Sequence, residues 1–462
     1  MKLFSLFCYM LLCATAQAQP YGIEERIPNQ SLIISLQDEE PPLTIAASGL
    51  YSDIATRTVA QGIIPFGVNA QLWSDGTYKE RFIALPGTEK IRFSADSPWK
   101  FPPGSVLVKN FYLEFESGNA ASRWLIETRF LVKDIAEGKW CGFSYKWEAG
   151  GSDAVLLERE FTEAYFVLDP EAEGGIREHL HYFPNRKQCD QCHVRASGTV
   201  LGLRTAQINR DHDYGGIVDN QLRTLNHIGL FTEDIGENYA ALPRMADPFD
   251  ESQILDRRAR SYLAANCSHC HQPDVVSKAD IDLRFATPLE EAGVVDRVPT
   301  LGTLDLEDPR ILKPGDPDNS SLLNRLLVFD SNRMPPLATN LVDWQGADLL
   351  RRWIASLRQD THVAGGEGQP DAFFLAQNYP NPFNPETVIG YRVSGEGSVE
   401  LVVFDAAGQR IRTLVASHHT PGSYQVRWDG RDQAGTAAAS GVYLYRLRAG
   451  DFQQQRRLTL LK

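Results

Sequence analysis

The hydrophobic pattern changes period twice along this chain. Up to about residue 175, apolar and polar positions alternate in short runs, such as Ser105-Val106-Leu107-Val108-Lys109-Asn110-Phe111-Tyr112-Leu113 and Arg123-Trp124-Leu125-Ile126-Glu127-Thr128-Arg129-Phe130-Leu131-Val132. Both runs are rich in β-branched and aromatic residues. The turn formers Pro102-Pro103-Gly104, Glu116-Ser117-Gly118-Asn119 and Gly150-Gly151-Ser152-Asp153 separate them from their neighbours, which predicts an antiparallel sandwich. From about 176 to 358 the period becomes helical. Ile254, Leu255, Ala259, Tyr262 and Leu263 make one apolar stripe, and Leu349, Leu350, Trp353, Ile354 and Leu357 make another. Weaker helical signals run over 176–183 and 220–228. A segment at 359–370 containing Gly365-Gly366-Glu367-Gly368 reads as a flexible linker. Beyond it alternation returns, with Val399, Leu401 and Val403 on one face, a turn at Asp405-Ala406-Ala407-Gly408, and further strand-and-turn units around Trp428 and Tyr443.

The helical stretch carries the chemistry. Cys189-Asp190-Gln191-Cys192-His193 and Cys267-Ser268-His269-Cys270-His271 are two Cys-x-x-Cys-His pentapeptides, the pattern of covalent c-type haem attachment. Two thiols three residues apart on a helical turn straddle one edge of a porphyrin, and the adjacent histidine reaches its centre. A single Cys-x-x-Cys also serves thiol redox chemistry; two copies, each followed directly by histidine, favour two covalently bound haem c groups, with Cys189, Cys192, Cys267 and Cys270 as attachment residues and His193 and His271 as proximal iron ligands.

The few methionines bear on the remaining axial positions. Of four in the chain, Met1 and Met10 lie in an apolar N-terminal run. Met245 and Met334 each follow one haem motif, directly after Arg244 and Arg333. A thioether is a common sixth ligand and raises the reduction potential. Met334 sits in Arg333-Met334-Pro335-Pro336, where two prolines stiffen the loop. For the first haem the choice stays open between Met245, His212, His227 and an iron with no sixth protein ligand, because methionine also serves as an adaptable core filler. Leu203-Arg204 and Leu283-Arg284 follow the two motifs and read as a diverged duplication. Each guanidinium is a candidate fork for a haem propionate, and a solvated surface arginine accounts for the same residues.

Length, charge and cysteine use narrow the setting. The 462 residues suffice for about three domains. Lys2, the run Leu3 to Leu12 and Ala16-Gln17-Ala18 read as a secretory signal cleaved after Ala18. No later run is long and apolar enough for a membrane span. Cys8 and Cys13 would leave with the signal, and Cys141 is left over as a small buried hydrophobe. A net charge of −13 disfavours nucleic acid and anionic membrane surfaces as partners. Leu72-Trp73-Ser74-Asp75-Gly76 with Lys79, Glu80 and Arg81 is a dense polar and aromatic cluster, read as a turn with an ion-paired flank in preference to a ligand site.

Two resemblances rest on quoted residues. Leu72 to Gly76, Phe183-Pro184, Leu201-Gly202-Leu203, Asn266-Cys267-Ser268-His269-Cys270-His271, Lys313-Pro314-Gly315-Asp316-Pro317 and Met334-Pro335-Pro336 resemble a family of exported dihaem c-type cytochromes in which a β domain precedes the haem region. That resemblance covers 40–358 and implies haem binding and electron transfer. Asn378-Tyr379-Pro380-Asn381-Pro382-Phe383-Asn384-Pro385, Trp428-Asp429-Gly430-Arg431-Asp432, Ser440-Gly441-Val442-Tyr443 and Leu460-Leu461-Lys462 resemble the type IX secretion sorting domain of the immunoglobulin-like form also found in flagellar hook-capping proteins. It implies translocation by the type IX machinery and a secreted or cell-surface location.

The expected architecture is therefore multidomain: a signal at 1–18, an N-terminal all-β sandwich at 20–175, a central all-α cytochrome c-like dihaem region at 176–250 and 251–358, a linker at 359–371, and a C-terminal Ig-like β-sandwich at 372–462. The expected function is electron transfer to or from a redox partner protein, with no separate catalytic residues. A dihaem peroxidase or oxidase with one open iron, and a ligand-binding β domain coupled to a redox module, are the alternatives.

Overall fold

The computed structural model describes residues 19–461 apart from 35, 37–40, 171, 196, 276–279, 338, 358–372, 376–377, 379–382, 421 and 451. The signal read at 1–18, with Met1, Cys8, Met10 and Cys13, the linker at 359–371 and much of the 378–385 motif lie outside the described residues. The chain divides into two compact units, Met1–Arg358 and Gln359–Lys462.

The first unit is built on one antiparallel sheet. After a short hairpin of β1 (Tyr51–Asp53) and β2 (Thr58–Val59) come β3 (Ile64–Pro65), β4 (Tyr78–Ala84), β5 (Val106–Glu114), β6 (Arg123–Lys133), β7 (Trp140–Trp147) and β8 (Ala154–Leu156), paired in sequence order as a six-stranded meander. Successive side chains point to opposite faces. Phe82, Val108, Phe130 and Phe143 align across four strands on one face, where Leu32, Ile34, Ile45, Leu50 and Ile63 of the N-terminal segment cover them. Ile83, Leu107, Leu131 and Gly142 align on the other face.

That second face is completed by later sequence. A hairpin of β9 (Phe161–Leu168) and β10 (Ile176–Phe183) is followed by α1 (Arg186–Cys192), α2 (Thr205–Ile208), β11 (Asp211–Asp213), β12 (Val218–Asn220) and α3 (Gln221–His227). Val200, Leu203, Ile208, Leu222, Leu225, Leu230 and Phe231 share one core with Ile83 and Leu107 of the sheet. Further on, α4 (Leu255–Asn266), α5 (Ser321–Leu327) and α6 (Trp344–Ser356) gather Tyr262, Leu323, Leu349, Leu350, Trp353 and Ile354 into a smaller core.

The central region is therefore not all-α, and it is not a separate cytochrome c-like fold. It contains three strands, and of its six helices among the described residues only α4 and α6, of 12 and 13 residues, exceed seven. Residues 176–183 form a strand because His179, His181 and Phe183 are buried while Glu178 and Leu180 are exposed, a period of two that mimics a short helical stripe. Residues 200–231 use their apolar side chains to close the sheet instead of building a bundle. Nor is the N-terminal part a pair of packed sheets. Its single large sheet is covered by irregular chain on one face and by short helices and a hairpin on the other.

The second unit is a two-sheet sandwich. One sheet orders β13 (Phe374–Leu375), β14 (Thr387–Val393) and β17 (Gly422–Trp428); the other orders β16 (Arg410–His419), β15 (Gly397–Asp405), β18 (Gly441–Ala449) and β19 (Phe452–Leu460). Ile389, Tyr391, Val399, Leu401, Val403, Trp428, Tyr445 and Leu458 fill the space between them. The alternation predicts a separate β module here, and the two-sheet sandwich fits the Ig-like form implied by the resemblance of the C-terminal motifs.

Because α3 seals the large sheet, its core leucines should matter to the whole first unit. Leu225, with no exposure, should cost about 2–5 kcal/mol when changed to Ala. Denaturant unfolding followed by tryptophan fluorescence should show one shifted transition. A separate early transition would mean that 200–231 unfolds independently of the sheet.

Candidate functional site

The first motif sits on a helix too short to persist alone. Its start is fixed by reciprocal capping: Gln188 N–H donates to Asn185 Oδ1, and Asn185 N–H donates to Gln188 Oε1, both at 3.0 Å. Cys189 and Cys192, three residues apart, then share one side of α1. The helix lies on β7, where Gly142 permits the approach. A Cβ at Gly142 would stand 2.7 Å from Cys189 Cβ and 2.8 Å from its Sγ, so any side chain there displaces the motif. His193 closes the helix. Its Nδ1 lies 2.7 Å from the Thr199 carbonyl oxygen, so Nδ1 carries the donated proton and Nε2 keeps a free lone pair. Burial pushes the imidazole down to about 4, which keeps it neutral, as a metal ligand must be.

The second motif follows α4 directly. Cys267 N–H donates to Leu263 O at 2.8 Å, and His271 N–H to Cys267 O at 3.0 Å, so the helical turn continues through it. Burial also lowers the His271 pKa, and its Nδ1 is buried without a hydrogen-bond partner. The 72–76 turn braces this motif. Trp73 N–H donates to Asn266 Oδ1 at 2.7 Å, and the Asp75 carboxylate accepts from the Asn340 and Leu341 N–H groups at 2.9 and 2.8 Å. Leu72 to Gly76 thus fastens both the residue before Cys267 and the loop that carries Met334.

The two motifs adjoin. The Cys192 and Cys270 sulfurs and a His269 ring nitrogen all lie within 4.8 Å of one another. The Cys192 thiol donates to the Cys270 sulfur, which holds Cys270 toward thiolate, down to about 4, and keeps Cys192 protonated. All four motif cysteines and Cys141 are free thiols. Two pairs of free thiols, each with a neutral imidazole one residue on, fit covalent haem at both motifs. Sequence spacing identified each motif, but nothing in it foretold that they touch.

The remaining sequence candidates divide. Arg284 is held by Asp282, with Nη2–Oδ2 at 2.6 Å. Arg204 donates to the Ser197 carbonyl in the loop after the first motif; burial, then the charge of Arg284, lowers its pKa. Met245 is buried among Ala70, Ala206, Ala264, Ala265 and Phe285, against the turn of α4 that leads into the second motif. Met334 is half-buried; its N–H donates to Arg325 O at 3.0 Å, and the Arg325 charge is one of those that depress His271. Arg333 ties the same loop to Val328 O and Leu341 O. His212 packs on Tyr214 with ring centres 4.7 Å apart, while His227 stacks on Tyr21 at 3.4 Å and contacts Glu24 O.

A charged system inside the sheet went unread in the sequence. Arg81, Lys109, Arg129 and Ser144 face one another across β4 to β7, and Lys79, Phe111, Glu127 and Lys146 form the next row on the same face. Glu127 is fully buried; Arg129 grips it at 2.6 and 2.8 Å, and His181 Nε2 lies 2.8 Å from Oε2. Burial alone would raise the Glu127 carboxyl, but the Arg129 charge and the hydrogen bonds to His181 and Arg129 take it down to about 2. Burial, then neighbouring cations, lowers Lys79 to about 7 and Lys109 well below the usual lysine range. Arg81 falls to about 10. His179, fully buried beside His181, has both ring nitrogens without partners and is pushed down to about 3, chiefly by burial. Of these residues the sequence singles out Lys79 and Arg81, as the ion-paired flank of a turn.

Residues 387–451 match the FlgD Ig-like domain family. Among solved structures, the chain is similar to dimeric latent PorU from Porphyromonas gingivalis at 18% identity, covering 21% of this chain and 10% of that one, with a TM-score of 0.18. It is similar to PorZ, a surface component of the type IX secretion system of the same organism, at 20% identity over 20% of this chain and 11% of that one, with a TM-score of 0.14. FlgD from Xanthomonas campestris is similar at 20% identity over 19% of this chain and 65% of that one, with a TM-score of 0.15. The chain thus spans about a tenth of the PorU and PorZ structures. No curated protein matches it. Among the described residues no helix is long and apolar enough to cross a membrane.

Two outcomes follow from this geometry. Gly142→Val should destabilise the protein by about 1–3 kcal/mol through overpacking and, in haem-free protein, speed alkylation of Cys189; an unchanged rate would mean that α1 does not rest on β7. For Glu127 the folded pKa lies below the ordinary 4.5, at about 2, so its stabilisation is complete above pH 4.5 and is lost as pH falls toward 2. The Glu127→Gln variant should be less stable at neutral pH and should lose less stability on acidification through that window, read by urea midpoints at each pH. Parallel curves for the two proteins would remove Glu127 as the acid-sensitive group.

Proposed function

We propose that this protein is an exported electron carrier with two covalently bound haems, one fixed by Cys189 and Cys192, the other by Cys267 and Cys270. The observation that carries the reading is the meeting of two complete attachment motifs, distant in sequence, at the Cys192–Cys270 contact. A bound haem supplies a one-electron couple at each site. The chain's part is positional. Thr199 O orients His193 so that Nε2 is the ligating nitrogen, and the 72–76 turn holds the approach to Cys267. Met334 would supply a thioether to the iron held by His271. Met245 packs against the turn of α4 that leads into the second motif, and the His212 and His227 rings are engaged by Tyr214, Tyr21 and Glu24, so no sixth protein ligand is assigned to the first haem. Adjacent attachment points favour relay between two centres and a partner redox protein.

Export is supported by the apolar N-terminal run with its Ala16-Gln17-Ala18 site and by the FlgD Ig-like match at 387–451. We assign the C-terminal unit to passage by the type IX machinery, and the mature protein to the cell surface or medium.

A second reading comes from one cluster. Cys192, His269 and Cys270 also offer two thiol sulfurs and an imidazole to a single soft metal ion such as zinc. The two readings exclude each other, because thioether-linked cysteines are no longer thiolates. Intact mass and elemental analysis of protein made with a haem-attachment apparatus decide between them. We expect a mass increased by two haems and two irons per chain, lowered to one of each in Cys189→Ala/Cys192→Ala. An unmodified mass with stoichiometric zinc would overturn the haem reading.

A further inference from the structure

We propose that the row Arg81–Lys109–Arg129 on the large sheet is a carboxylate-binding floor, and that it receives the propionate groups of a haem fixed at Cys189 and Cys192. The inference rests on the two-haem reading above and gives the β region a role in it.

Four observations support this. The three cations are direct cross-strand neighbours on β4, β5 and β6, so the hydrogen-bond ladder fixes their spacing. They do not form a solvated surface: Arg81 is 8% and the adjacent Lys79 6% exposed, while Lys109 and Arg129 are half-buried. Negative charge is scarce there. Glu127 is shared by Arg129 and His181, and Asp75 and Asp343 act on Lys79. Lys109 is in contact with the Phe111 ring, 5.2 Å from its centre, and the carboxylate that acts on it is Glu127, already held by Arg129. Buried charges are ordinarily paired; in this row Arg129 has Glu127, whereas among the described residues no carboxylate forms an ion pair with Arg81 or Lys109.

Position selects the anion. Cys189 stands over Gly142 on β7, Arg129 feels both Cys189 and Cys192, and Lys109 feels His193. Lys109 lies two strands from β7, about 10 Å at ordinary strand spacing, roughly the reach of a porphyrin from its thioether edge to its carboxylate edge. The arginines suggested by sequence are engaged elsewhere, Arg284 by Asp282 and Arg204 by the Ser197 carbonyl. A carboxylate set between two guanidinium or ammonium groups accepts charge-assisted hydrogen bonds from both.

The test uses the full chain matured with haem, comparing wild type with Lys109→Met, Lys109→Arg, Arg81→Gln and the exposed control Lys139→Met. Haem content is read by mass, and the two reduction potentials by spectroelectrochemical titration. Loss of a cation favours the more positive ferric state, so Lys109→Met and Arg81→Gln should lower one potential and leave the other unchanged. Lys109→Arg and Lys139→Met should match wild type. Haem-free Lys109→Met should also resist urea better than haem-free wild type, since it no longer buries a lysine amine between Arg81 and Arg129. Wild-type protein carrying two haems whose potentials ignore both substitutions would overturn the proposal, and so would a potential that shifts saturably with added succinate, which would give the row to a free carboxylate. Wild-type protein without haem would instead overturn the two-haem reading. Succinate stabilisation of that protein, lost in Lys109→Met, would then keep the row as a carboxylate site, and its absence would remove the site altogether.

Discussion

The constraint that organises the first unit is the divided character of one face of its large sheet. Near one end, Ile83, Leu107 and Leu131 need apolar cover; two and four residues along the same strands, Arg81, Lys109, Arg129, Lys79 and Glu127 need polar or ionic cover. No single helix satisfies both. The apolar end takes α2, α3 and the loop before them, the charged end takes the β9–β10 hairpin with His181, and the short helix of the first Cys-x-x-Cys-His motif stands over Gly142 at the β7 end of the apolar row, beside Arg129. The motif is where it is because the sheet leaves that place for it.

The second motif is tied to the same scaffold by fewer but well-placed bonds. Asn266, one residue before Cys267, accepts from the Trp73 backbone and donates to Gln71 O. Asp75 takes two backbone N–H groups of the Met334 loop. A buried carboxylate that accepts from backbone amides costs its desolvation, and burial does raise the Asp75 pKa while those two amides act against it. The turn is therefore more than a connection with a charged flank. It holds the second Cys-x-x-Cys-His motif and the Met334 loop in place.

Legibility in the sequence followed how local each signal is. The helices α4 and α6 and the alternation of the C-terminal sandwich were readable because each is decided within about 15 residues. The fold of 176–250 was not, because its apolar residues were spaced for a sheet face that lies a hundred residues earlier. His179 and His181 were hidden for a related reason: with Phe183 they mark a strand of period two, but in eight residues that pattern overlaps a helical stripe. Arg81, Lys109 and Arg129 were the hardest. Alternation separates the two faces of a strand, yet it does not say which face meets water, and a row of basic residues reads as the wet one.

The energetics of that row argue against a role as surface decoration. Two unit charges one strand apart, about 4.8 Å, repel by roughly 3.5 kcal/mol at an effective dielectric of about 20. Flexible surface lysines relieve this by splaying into water, but Arg81 and Lys79 are too deeply covered to do so. Burial and part of this repulsion appear in the depressed lysines, Lys79 down to about 7 and Lys109 well below the usual lysine range, so that without an anion the sheet favours the neutral amines. A fixed anion reverses that tendency and restores the ammonium. A haem at the first motif would link its redox state to charge at the row, because a group bound at Lys109 would alter the field at His193. Strands suit such coupling better than loops, because the ladder holds Arg81, Lys109 and Arg129 in register and a change of charge cannot be relaxed away by moving the backbone.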